Sequence, residues 1–110
     1  MTLDLAPRYR QRLVELLAAE PRVRRIILFG SRARGDARPG SDVDLAVEGE
    51  HLTPETLAAM QTRLEESTIP YLVDLVPLDE NLDPRLREHI LADGISIYER
   101  DEGRGPRDEE

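Results

Sequence analysis

Two aspartates separated by one residue are the feature of this 110-residue chain that most directly indicates chemistry. Asp42 and Asp44 lie in the alternating segment 42–47 (DVDLAV), which predicts a β-strand. Because successive side chains of a strand point to opposite faces, both carboxylates project from one side and the intervening apolar residues face the core. Two carboxylates so placed repel each other unless a cation lies between them, and Mg²⁺ prefers carboxylate oxygens together with water or phosphate. The alternative is a strand whose solvent-facing side is simply acidic.

A Gly-Ser pair lies upstream of these aspartates. Gly30 and Ser31 directly follow the apolar run 26–29 (IILF), which predicts a largely buried strand. A tight turn at this position offers backbone N–H groups and a hydroxyl to phosphate. Guanidinium groups also match phosphate oxygens, and the same loop carries Arg32, Arg34 and Arg38. The alternative is that the glycine only turns the chain, the serine only caps a helical turn and the arginines only balance nearby acids.

A third aspartate interrupts an otherwise apolar strand. Asp74 lies within 71–76 (YLVDLV), where aspartate is disfavoured. A buried aspartate must be paired, hydrogen-bonded or bound to metal. If its strand is a neighbour of the strand at 42–47, the three carboxylates share one site. The alternative is an edge-strand aspartate paired with an arginine such as Arg24 or Arg25.

Helices and strands alternate around these residues. The spacing of apolar residues, prolines and capping residues predicts helices from Pro7 to the Glu20–Pro21 stop, from Thr53–Pro54 onward and from Asp83–Pro84 to Gly94. It also predicts one helical turn capped by Ser31 and strands at 22–29, 42–47, 71–76 and, as an edge, 95–98. The order α-β-β-α-β-α-β predicts an α/β fold with a small mixed β-sheet packed with helices.

Composition restricts the class of protein. At 12.5 kDa, with 39% hydrophobic residues, the chain has material for one modest core. All basic residues are arginine, which excludes a P-loop, Schiff-base or kinase-type lysine, and the lack of cysteine excludes disulfides and thiolate zinc sites. The net charge of −8 disfavours direct nucleic-acid binding. With neither a membrane-length apolar run nor a signal pattern, we expect a cytoplasmic protein.

The distribution of apolar residues along the chain predicts its domain boundary. We expect one domain over residues 1–100. The segment 101–110 (DEGRGPRDEE) has no apolar residue and predicts an acidic, disordered tail.

At this point the sequence resembles a known family. The string from Gly30 to Val47, GSRARGDARPGSDVDLAV, is similar to the G-S-x10-D-x-D signature of the polymerase-beta-like nucleotidyltransferase superfamily. It looks most like the minimal, MNT-type branch, often paired with HEPN-domain toxins. The resemblance extends from Leu5 to about Tyr98 and implies the polymerase-beta-like nucleotidyltransferase fold.

The resemblance also implies residue roles. Asp42 and Asp44 correspond to the family's metal ligands, and Asp74 to the third catalytic aspartate, which completes the metal site or helps deprotonate the attacking hydroxyl. Gly30 and Ser31 correspond to the pair that holds the nucleoside triphosphate. The implied cofactor is Mg²⁺, as two ions, and the implied substrate is ATP.

The reaction so implied moves AMP from ATP to a hydroxyl on a partner HEPN toxin, which makes the chain the antitoxin of a toxin–antitoxin pair. We expect no second domain that would bind the acceptor. The acceptor must therefore belong to another protein, belong to a second copy of the chain, or bind in a shallow, open site. Two alternatives remain. One is a non-catalytic antitoxin that binds its toxin with its acidic surface; the other is a small-molecule nucleotidyltransferase that acts as a homodimer.

Overall fold

Helices and strands alternate along the computed structural model, which describes residues 5–38 and 40–100. The elements are α1 (Pro7–Ala18), β1 (Val23–Phe29), α2 (Ser31–Arg34), β2 (Val43–Gly49), α3 (Pro54–Glu65), β3 (Val73–Pro77), α4 (Pro84–Asp93) and β4 (Ile95–Glu99). The predicted α/β element order is confirmed. Every helix in this described part is too short or too polar to cross a bilayer. The predicted tail at 101–110 lies outside the described residues.

The four strands form one mixed sheet in the order β3-β2-β1-β4. The central strand β1 runs antiparallel to both β2 and β4, and β2 runs parallel to β3. A parallel pair cannot be joined by a tight hairpin, and α3 supplies the crossover between β2 and β3. The mixed sheet predicted from the sequence is therefore confirmed, and the strand of Asp74 is the direct neighbour of the strand of Asp44.

Helices cover both faces of the sheet. On one face, the inward side chains of β2 pack with Leu13 and Leu17 of α1 and with Met60 and Leu64 of α3. These inward residues are Val43, Leu45 and Val47, as the alternation predicts. On the other face, Ile90 of α4 packs with Ile27 and Ala46. Asp44 shares this second face with Ala46, because residues two apart in a strand point the same way.

Two predicted helix caps are confirmed and one is wrong. Thr53 Oγ1 accepts a hydrogen bond from the Thr56 backbone N–H at 3.1 Å, and Asp83 Oδ1 accepts one from the Arg85 N–H at 2.9 Å. Ser31, by contrast, does not cap α2 but is its first residue, with Gly30 at the N-cap position. The helix starts early because Gly30 turns the chain directly out of β1 with φ 79° and ψ −158°.

The Thr53 cap allows a stability prediction. We expect Thr53→Ala to lower the free energy of unfolding by about 1 kcal/mol, because the Thr56 N–H loses its acceptor. Urea denaturation measures the change. Thr62→Ala, the same substitution at an exposed position inside α3, is the matched control and is expected to cost nothing. Equal stability of the two variants would contradict the capping role.

Candidate active site

The sheet brings the predicted functional residues together at one end. Asp44 lies in register between Phe29 of β1 on one side and Asp74 of β3 on the other. Gly30 and Ser31 directly follow Phe29. Because neighbouring strands lie about 4.8 Å apart, the Gly-Ser turn, the aspartate of β2 and the aspartate of β3 occupy adjacent positions across the sheet.

The Gly30 turn lies directly against the Asp44 carboxylate. A Cβ atom built at Gly30 would lie 2.4 Å from Asp44 Oδ2, closer than real Cβ contacts allow. The backbone conformation at Gly30 also belongs to a region that essentially only glycine adopts. The backbone turn therefore requires glycine here, and a Cβ atom would in addition force the Asp44 carboxylate to move.

These two requirements predict the effect of a methyl group at this position. We expect Gly30→Ala to lower the free energy of unfolding by about 1 to 3 kcal/mol, the cost of a strained backbone conformation. Chemical denaturation measures the change. Gly35→Ala is a useful comparison, because Gly35 has a left-handed conformation (φ 84°, ψ 15°) that alanine tolerates better. A Gly30→Ala protein as stable as the parent would contradict the geometry described here.

Negative charge accumulates around Asp44. Partial burial raises the pKa of this carboxyl group above its ordinary value, and the charges of Asp74 and Asp42 raise it further. Arg34 acts in the opposite direction. The aspartates on the two strands therefore repel one another, and a cation placed among them would relieve that repulsion.

The apolar residues around Asp74 suggested a buried side chain, and this expectation is wrong. Asp74 is exposed, because β3 is an edge strand, so the argument that a buried aspartate needs a partner does not apply. The suggested arginine partners are engaged elsewhere. Arg24 pairs with Glu50 at 3.7 Å, and Arg25 pairs with Glu48 at 3.0 Å. What places Asp74 at the site is its register with Asp44.

The donor set of the site suits a hard divalent cation. Within residues 5–38 and 40–100, no three His, Asp or Glu side chains are gathered closely enough to ligate one ion as they stand. The two aspartates in register nevertheless supply carboxylate oxygens, the ligands that Mg²⁺ prefers, at a point of unbalanced negative charge. Asp42, exposed at the residue before β2 and near enough to act on the Asp44 carboxyl group, is the third candidate ligand. The metal-binding roles of these aspartates stay a prediction.

The loop arginines divide into two kinds. Arg34 is half-exposed, pairs with Asp36 at 3.3 Å and acts on Asp44, so it lies near the carboxylates and remains available to phosphate. Arg32 is buried and donates two hydrogen bonds to the Ser41 carbonyl. The sequence predicted phosphate-matching arginines in this loop but could not separate these roles, since burial depends on the tertiary structure.

Comparisons with known proteins show the family of the chain. Residues 11–103 match the family model of Polymerase beta, Nucleotidyltransferase. A crystal structure of a toxin–antitoxin with AMP-PNP is 26% identical, with a TM-score of 0.72 over 84% of this chain and 74% of that chain. A protein assigned as a minimal nucleotidyltransferase is 36% identical, with a TM-score of 0.67 over 86% of this chain and 95% of that chain. No curated protein matches the sequence.

A third solved structure has a similar fold. It contains a tri-AMPylated HEPN toxin of Shewanella oneidensis in complex with its MNT antitoxin, and it matches 83% of this chain and 70% of that chain with 24% identity and a TM-score of 0.65. The structural neighbours thus include toxin–antitoxin complexes and a minimal nucleotidyltransferase, and the polymerase-beta-like fold is confirmed. Since the family model spans most of its length, the chain belongs to the polymerase beta nucleotidyltransferase family.

Proposed function

We propose that this nucleotidyltransferase moves AMP from ATP to a hydroxyl group of a partner HEPN toxin and thereby acts as its antitoxin. The observation that carries the proposal is the alignment of Asp74, Asp44 and the Gly30 turn across three adjacent positions of the sheet. This arrangement combines a candidate metal site with a candidate phosphate site. It is the pair of sites that transfer of a nucleotide from a triphosphate requires.

In this proposal each residue has a separate task. Asp42 and Asp44 hold Mg²⁺, which when bound neutralises phosphate charge and stabilises the departing pyrophosphate. The backbone N–H groups of the Gly30–Ser31 turn and the Ser31 hydroxyl orient the phosphates. Arg34, beside the carboxylates, contributes a positive charge toward the triphosphate.

Asp74 acts on the hydroxyl group that accepts AMP. Its carboxylate is exposed on the edge strand, so an incoming hydroxyl group can reach it. The hydroxyl oxygen forms a bond to the α-phosphorus, the bond from that phosphorus to the β-phosphate bridging oxygen breaks, and pyrophosphate leaves. Asp74 orients the hydroxyl and receives its proton, or completes the metal site. Most of the rate acceleration then comes from positioning and electrostatics.

A protein acceptor has support from the relatives and from the surface. Two toxin–antitoxin structures are each 26% identical to this chain, and one of them holds the ATP analogue AMP-PNP. In this chain the side chain of Leu72 is 76% exposed, and its carbonyl accepts a hydrogen bond from the Val43 N–H. An exposed leucine therefore borders the aspartates. It offers an apolar contact to a macromolecule at the place where the acceptor must approach.

Transfer of label tests the proposal. The purified chain is incubated with Mg²⁺, ATP labelled at the α-phosphate and the HEPN protein encoded by the adjacent reading frame. We expect label on a hydroxyl side chain of that protein, and none when the γ-phosphate carries the label. No label despite stable association would favour the non-catalytic antitoxin. Label on small alcohols alone would favour the small-molecule transferase.

A further inference from the structure

Arg32 is a buried charged side chain beside the candidate active site. Its residue is only 6% exposed, and a buried guanidinium group must be hydrogen-bonded or paired. Its Nε and Nη2 atoms donate to the Ser41 carbonyl oxygen at 3.2 and 2.9 Å. The face of the same guanidinium group lies 4.4 Å from the centre of the Tyr71 ring, and that ring meets Tyr9 edge to face at 5.5 Å.

These contacts join the three segments that carry the proposed catalytic residues. Arg32 itself follows Ser31 in the Gly-Ser turn. Ser41 directly precedes Asp42, which is the residue before β2, and Tyr71 lies three residues before Asp74. One side chain therefore connects the phosphate turn to the start of β2 and to the approach to β3.

The chemistry of arginine explains why this side chain suits the position. The guanidinium group is planar, so its edge can donate two hydrogen bonds to one carbonyl while its face stacks on an aromatic ring. A lysine ammonium group has neither the fork nor the plane. The carbonyl that Arg32 holds belongs to the residue before Asp42, so a shift of this contact moves Asp42 directly.

We propose that Arg32 is a positioning residue that fixes Asp42 and the start of β2 relative to the Gly-Ser turn and Asp74. The inference rests on the proposed function for its catalytic consequence but not for its structural one. Arg32 touches neither metal nor nucleotide in this role. It acts through the Ser41 carbonyl and the Tyr71 ring.

The test uses Arg32→Met, which keeps the length of the side chain and removes both the hydrogen bonds and the charge. We expect kcat for AMP transfer to fall by about 10- to 100-fold with little change in KM for ATP, because a small displacement of a catalytic group slows the reaction step. Independently of activity, hydrogen exchange is measured at the Val43 amide, which bonds to the Leu72 carbonyl at 2.9 Å. We expect its exchange to accelerate by about tenfold or more, while the buried Ile27 amide of β1 keeps its protection.

Matched variants separate positioning from general loss of stability. Arg12→Met removes an exposed arginine that pairs with Glu15 on α1, and we expect both activity and exchange to match the parent protein. Arg32→Lys keeps the charge without the fork and is expected to remain impaired. Should Arg32→Met fail to fold, Tyr71→Leu removes the stacking partner and is expected to change Val43 exchange in the same direction.

The outcomes distinguish this inference from the proposed function. Unchanged Val43 exchange in folded Arg32→Met, or equal acceleration at Val43 and Ile27, would overturn the positioning role. Full transfer activity in that variant would overturn it too. If the parent protein transfers no AMP, the proposed function fails, while the exchange measurement still decides whether Arg32 fixes the start of β2.

Discussion

Asp44→Asn is expected to lower AMP transfer by at least about 10²-fold, because it removes a charge from the centre of the proposed metal site. Asp44 lies at the centre of the site. Asp74 is in register with it on one side, and the Gly30 turn lies against its carboxylate on the other. Asparagine keeps the size of the side chain but binds Mg²⁺ far less well. The measurement is transfer from α-labelled ATP, together with calorimetry of Mg²⁺ and an ATP analogue.

The same substitution is expected not to destabilise the fold. Burial and the neighbouring carboxylates raise the pKa of Asp44, so the folded chain binds this proton more tightly than the unfolded chain. The stability contributed by that group is present below the ordinary aspartate value of 3.8 and is lost as the pH rises through the raised pKa. At neutral pH the ionised carboxylate therefore opposes folding. Without divalent cations, Asp44→Asn should melt no lower than the parent at pH 7, and its advantage should shrink as the pH falls through the raised pKa and vanish below pH 3.8.

A matched control makes this pair of results decisive. Asp93→Asn makes the same change at an exposed position at the end of α4, and we expect it to alter neither transfer nor melting temperature appreciably. If Asp44→Asn kept full activity, or bound Mg²⁺ and nucleotide as tightly as the parent, the proposed metal site would be wrong. A marked loss of stability would show that the carboxylate has a structural role instead.

The local sequence pattern was sufficient to predict which side chains of β2 face the core. It could not predict which residues of other strands lie beside Asp44. Alternation along β2 determines which residues face the core, since the period of a strand is two. The proximity of Asp74 depends on which strand pairs with β2, and that choice depends on the α3 crossover and the packing of both faces. The contact between Gly30 and Asp44 likewise joins residues from two strands and has no local signature.

Pairing with a neighbouring strand explains why the predicted ends of β2 were wrong. The strand predicted at 42–47 runs instead from Val43 to Gly49, because its end pairs with the start of β1, where Val23 lies opposite Gly49. In this added part of β2, Glu48 pairs with Arg25 across the sheet. The burial of Arg32 could not be predicted for a related reason. The sequence shows its charge, whereas the Ser41 carbonyl and the Tyr71 ring that bury it come from the tertiary structure.

Asp74→Asn is the variant that best separates an enzyme from a binding protein. We expect transfer to fall by about 10²-fold or more, the effect of losing a positioned base or a stabilising charge. Because Asp74 is exposed on an edge strand, asparagine should leave the fold and the surrounding surface intact. Association with the HEPN partner, measured by co-purification, should therefore persist, while relief of toxicity in cells should fail.

The comparison between association and relief of toxicity decides the mechanism. A stoichiometric antitoxin needs only its contact surface, which asparagine at this position changes by one charge without altering shape. A catalytic antitoxin needs the transfer itself, and residual binding cannot replace it. With Asp93→Asn as the matched control, failure of Asp74→Asn to protect cells despite normal association would support transfer as the mechanism. If Asp74→Asn protects as well as the parent protein, transfer is not the mechanism, and neutralisation by contact alone takes its place.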